Sequence, residues 1–123
     1  MVKSETLVRS NTFKVGWALL LVVAALFTLN HIVLSLVISE ERTLFLGWAA
    51  FNVYALLVIA IPLRHAARWA WITSWVLVAV FASAMVFNAQ IGPYYLGAAA
   101  VMTVGLLLTA PAFFSRGLPS PQG

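Results

Sequence analysis

The chain has no cysteine in 123 residues. That excludes a disulfide framework, a Cys-x-x-Cys redox pair and a thiolate metal site. Charge is nearly as scarce, with seven Lys or Arg and three Asp or Glu. None of these lies between Lys14 and Glu40, between Arg42 and Arg64, or between Arg68 and Arg116. The missing carboxylates argue against proton-coupled export that relies on a membrane-embedded Glu, against sterol-isomerase-like chemistry and against a carboxylate-held metal. There is also no Gly-x-Ser-x-Gly, no His-Glu-x-x-His and no phosphate-cradling glycine loop.

What fills the gaps is apolar. The chain is 63% hydrophobic with a mean hydropathy of +1.02, too little polar surface to cover a water-soluble domain. A helix needs about 20 apolar residues to cross a bilayer core about 30 Å thick. The first two gaps hold one such run each. The third breaks at Asn88-Ala-Gln-Ile-Gly-Pro93 and holds two. The expected fold is therefore all-α, an integral membrane antiparallel four-helix bundle forming a single domain. The spans cover about 13–38, 44–63, 68–87 and 94–114, and residues 1–12 and 115–123 are flexible arms. Strands are excluded because a membrane barrel needs short segments of alternating polarity. The first apolar stretch is too long for the h-region of a cleaved signal peptide.

The net charge of +4 would suggest nucleic acid in a soluble protein, but here the basic residues flank the spans. They set orientation instead. Lys3, Arg9, Lys14, Arg64, Arg68 and Arg116 fall on one side and only Arg42 on the other, which predicts both termini in the cytoplasm. Trp17, Trp69 and Trp71 then mark the inner interface, and Trp48, Tyr94 and Tyr95 the outer one. Thr43 or Ser39 is a candidate cap for span two. Pro62 is placed to end that span, and Gly92-Pro93 reads as part of a turn.

His31 is the one ionisable group well inside a span apart from the phenol of Tyr54. It lies about 10 Å below the outer boundary at 1.5 Å per residue. Thr28, His31 and Ser35 share one helix face, which lipid cannot satisfy and which should face the bundle. Asn52 near the middle of span two and Ser83 in span three complete a candidate ligand site opening outward, with Asn88, Gln90 and Tyr94 at its mouth. The competing reading is interhelical hydrogen bonding, which is common and worth about 1 kcal/mol per bond. Haem is excluded because His65 sits at the inner boundary, about 20 Å from His31 in a 30 Å core. No cofactor or metal is expected.

Arg64, His65, Arg68, Trp69 and Trp71 form a second cluster, fit for lipid head groups or simply for anchoring. Gly97, Val101, Gly105 and Thr109 recur every four residues and form a groove for close helix packing, within the chain or against another copy. Three functions fit these features. The first is a non-enzymatic membrane protein with an outward-facing polar cavity that binds or passes a small ligand or lipid. The second is an accessory subunit packed on a partner membrane protein. The third is a small enzyme using His31 as acid–base. The expected surroundings are the lipid bilayer of the plasma membrane, with no nucleic-acid partner.

Overall fold

The computed structural model describes residues 6–8 and 10–114. Lys3, Arg9, Arg116 and the tail 115–123 lie outside the described residues, so the charges counted there and the expected flexibility of the tail have no structural counterpart. Among the described residues every regular element is helical. We number them α1 (Asn11–Val37), α2 (Arg42–Val58), α3 (Arg68–Phe87), α4 (Gly92–Thr109) and α5 (Pro111–Phe114), with a π-helical turn at Ile59–Leu63 extending α2. Four of these units, of 27, 22, 20 and 18 residues, are long and apolar enough to cross a membrane. Their outward surface is apolar as well: Leu26, Leu36, Leu57, Val76 and Leu107 are each more than half exposed. In water such a surface would drive aggregation; in hydrocarbon it is the ordinary exterior.

Helix α1 starts two residues before the expected boundary, because the Ser10 hydroxyl accepts the N–H of Phe13 and caps it. The expected caps of α2 are corrected. The helix begins at Arg42, the cap position is Glu41, and no side chain bonds a free N–H there. Ser39 lies outside the helix and Thr43 inside it. Helix α3 has the expected limits. In α4, Gly92-Pro93 opens the helix rather than closing the turn, with proline in the first positions where its missing N–H costs nothing. The turn before it is made by Asn88, whose side-chain oxygen accepts the N–H groups of Gln90 and Ile91.

Two prolines shape the other end of the bundle. Pro62 supplies no N–H, so the α ladder cannot continue through it, and the backbone widens into the π turn. The Ile59 carbonyl there accepts the Trp17 indole N–H at 2.8 Å. The chain then closes with bonds from Ala67 N–H to the Pro62 carbonyl and from Ala66 N–H to the Leu63 carbonyl, a Schellman cap. Ala66 occupies its left-handed position, with φ 59°. Pro111 splits the expected fourth span in two. Ala110 N–H turns to the Leu107 carbonyl, and the Leu106 carbonyl takes the Trp71 indole at 2.9 Å and the Thr109 hydroxyl at 2.9 Å instead.

Packing is unequal around the bundle. Helix α1 lies against both α2 and α4, and α3 lies against α4, whereas α2 and α3 barely touch except at the π turn. The short connection between α2 and α3 therefore does not bring them into close contact along their length. The reason is visible at the α1–α4 crossing. A Cβ on Gly16 would sit 2.7 Å from the Gly105 carbonyl oxygen, and one on Gly105 would sit 2.8 Å from that of Gly16. Two glycines let these backbones meet. No such pair joins α2 to α3, whose facing sides carry Phe51, Val76, Leu77 and Val80. A groove therefore runs between them.

Candidate functional site

His31 is buried in the α1–α2–α4 interface. Its Nδ1 lies 2.8 Å from the Phe27 carbonyl oxygen and 3.1 Å from Asn52 Nδ2, and its Nε2 lies 3.0 Å from the Tyr95 hydroxyl. Asn52 Nδ2 also donates to the Trp48 carbonyl at 2.8 Å. One tautomer cannot serve every contact. A proton on Nδ1 satisfies Phe27 and leaves Nε2 to accept from Tyr95. A proton on Nε2 lets Nδ1 accept from Asn52 and is donated to the Tyr95 oxygen. A phenol can donate or accept, so the His31–Tyr95 bond survives in either state. Asn52 Oδ1 is buried with no hydrogen-bond partner, which leaves the set one donor short.

Rings surround the imidazole. Trp48 stacks on it with centroids 6.0 Å apart and planes at 21°, and Phe27, Phe45 and Tyr95 lie within 6.5 Å. Phe27 in turn sits 4.6 Å from Phe81 and 5.1 Å from Tyr95. This aromatic floor closes one side of a cavity of about 400 Å³ at the end of the bundle carrying the turn 88–91. His31, Ser83, Asn88 and Glu41 bring polar atoms to its walls. The volume is within the range of small-molecule sites, which are mostly apolar with a few convergent polar groups. The groove between α2 and α3 leads away from it past Leu44, Gly47 and Phe51, then narrows to a pocket of about 50 Å³.

The five residues singled out in the sequence thus separate by role. His31 and Ser83 line the cavity. Asn52 stands behind His31 and braces it. Thr28 and Ser35 are buried on the same face, but their hydroxyls donate to the Ala24 and Ile32 carbonyls of their own helix. Back-bonding of this kind satisfies a hydroxyl without a partner helix. Tyr95, expected at the interface beside Tyr94, points inward instead. The sequence signal for it was weak: Tyr94 and Tyr95 are adjacent, so about 100° of helix rotation separates them and only one can face the bundle.

The basic cluster is only partly free to meet a head group. Trp69 and His65 are exposed. Arg64 lies 5.3 Å from the centre of the Trp17 ring and Arg68 5.3 Å from that of Phe114, both cation–π distances. Arg68 also donates to the Phe113 carbonyl at 3.0 Å. Trp71 is turned inward onto the Leu106 carbonyl, packed among Trp75, Phe113 and Phe114. The small-residue stripe divides too. Gly105 and Thr109 are buried against Gly16 of α1, whereas Gly97 has no neighbour within 4 Å of where a Cβ would stand. Steps of four residues drift about 40° around a helix, so Gly97 is rotated about 80° from Gly105. Gly16, the other half of the contact, was not singled out in the sequence.

Among the described residues no group of three His, Cys, Asp or Glu is placed to hold a metal ion. Comparison with protein families, with curated proteins and with solved structures finds no match.

Proposed function

We propose that this chain is a non-enzymatic, multi-pass protein of the plasma membrane that binds or passes a small ligand or lipid through the cavity beside His31. Its four spans form an antiparallel bundle with both termini in the cytoplasm, an orientation supported by the excess of Lys and Arg at that end. The cavity then opens toward the outer face. The observation that carries the reading is a buried histidine, braced from two other helices, in the wall of a cavity of about 400 Å³. An intramembrane ionisable group is a functional candidate by default.

The two other readings have less support. An accessory subunit would meet its partner through the groove of α4 and the turn from Arg64 to Trp71; α1 fills that groove at Gly105 and Thr109, and Arg68 and Trp71 of the turn bond within the chain. An acid–base enzyme would need a free imidazole nitrogen, and both nitrogens of His31 are engaged within the protein.

Native mass spectrometry of the protein released from mild detergent tests the proposal. The wild type should carry a bound small molecule or lipid. His31→Leu and the cavity-filling Ala84→Phe should lose it while remaining folded by circular dichroism. A bare wild-type monomer, or a ligand retained by both variants, overturns the reading.

A further inference from the structure

The cavity beside His31 has a chemical sign. Phe45, Trp48, Phe81, Phe87 and Tyr95 line it, and ring faces attract cations. Glu41 lines it as well, and no Lys or Arg does. The neighbouring Arg42 is not part of the lining, and its Nε donates to the Ser35 carbonyl at 3.0 Å. His31 offers no free nitrogen to compete for an anion, since both of its nitrogens lie within hydrogen-bond distance of other protein groups. The groove that leaves the cavity between α2 and α3 is apolar, bounded by Leu44, Gly47, Phe51 and Val80. A ligand that matches both regions is positively charged at one end and apolar at the other.

We infer that the ligand is an amphiphilic quaternary ammonium: its head occupies the aromatic cavity with Glu41 at the mouth, and its alkyl tail lies in the groove between α2 and α3. This deepens the cavity reading and rests on it. Aromatic walls with a nearby carboxylate are how quaternary ammonium groups are recognised where no hydrogen bond can be made to them. The poor contact between α2 and α3 gives the tail a side entrance from the bilayer, so the head need never cross the hydrocarbon alone.

The test uses the full chain in nanodiscs of phosphatidylethanolamine and phosphatidylglycerol, titrated calorimetrically with empty discs subtracted. The probes are decyltrimethylammonium, decylphosphocholine and decyl sulfate, which share one tail. The ammonium should bind saturably and at least about fivefold more tightly than the sulfate, the scale of one partly solvated charge pair. Glu41→Gln should reduce that preference to less than about twofold, and Ala84→Phe should abolish binding. Decylphosphocholine binding as tightly as the ammonium supports the inference and assigns the head group to a choline lipid. Equal binding of the sulfate and the ammonium, both blocked by Ala84→Phe, overturns the charge assignment while the cavity reading stands. No saturable binding of any probe overturns the inference, whereas the cavity reading is decided separately by the native mass spectrum.

Discussion

The Tyr95 hydroxyl lies 3.0 Å from Nε2 of His31, so a single hydrogen bond ties α1 to α4 at the floor of the cavity. Interhelical hydrogen bonds in membranes average about 0.6 kcal/mol and reach about 1.7. Tyr95→Phe should lower stability by roughly that amount. A double-mutant cycle with His31→Leu, followed by unfolding in mixed micelles, should give a coupling in the same range. A coupling indistinguishable from zero would mean that the two side chains do not meet.

The two kinds of glycine should respond oppositely to alanine. Gly16→Ala and Gly105→Ala each drive a methyl into the other helix's backbone at under 3 Å, and overpacking typically costs about 1–3 kcal/mol. Gly47→Ala and Gly97→Ala meet nothing within 4 Å and should leave stability unchanged or raise it by up to about 1 kcal/mol through helix propensity. Thermal melts of the four variants in one detergent decide it. Equal losses at all four positions would remove the α1–α4 crossing from the argument.

Ala66 is the one non-glycine residue with positive φ among the described residues. The left-handed conformation costs an L-residue roughly 1–2 kcal/mol, and glycine escapes most of this. Ala66→Gly should therefore stabilise the protein by up to about 1 kcal/mol, while the β-branched Ala66→Val should destabilise it. The check is equilibrium unfolding of both variants, and a loss of stability in Ala66→Gly would contradict the Schellman geometry.

Sidedness can be measured with the chain's own lack of thiols as background. Single cysteines at Glu40 and Gln90 should react with an impermeant maleimide from outside intact cells. A cysteine at His65 should react only after the membrane is opened. Labelling of all three from one side would overturn the crossing of α2 and α3, and the opposite pattern would reverse the proposed orientation.

The four long helices were readable because charge is so rare that its gaps are one or two helices long. The limits of α3 follow directly from Arg68 and Asn88. Pro62 marked the end of α2 but not how it ends, since a missing N–H can be met by a kink, a stop or a wider turn. Pro111 carried the same warning in span four, where hydropathy alone runs through to Phe114. The site was legible where polarity is costly: His31 and Asn52 stand out against apolar sequence. Their partner Tyr95 did not, because a tyrosine near a span end suits an interface equally well. The Gly16–Gly105 contact and the open groove between α2 and α3 depend on which faces meet across long sequence separation, and one-dimensional periodicity does not encode that.

The meeting of Gly16 with Gly105 has a consequence for biogenesis. Gly16 lies in α1 and Gly105 in α4, so this backbone contact cannot form until α4 has been made. Until then the face of α1 that carries Gly16, Leu20 and His31 has only α2 beside it. Chains cut after α3 therefore lack both the backbone contact and the phenol that anchors the imidazole. Such fragments should be the forms that membrane quality control removes.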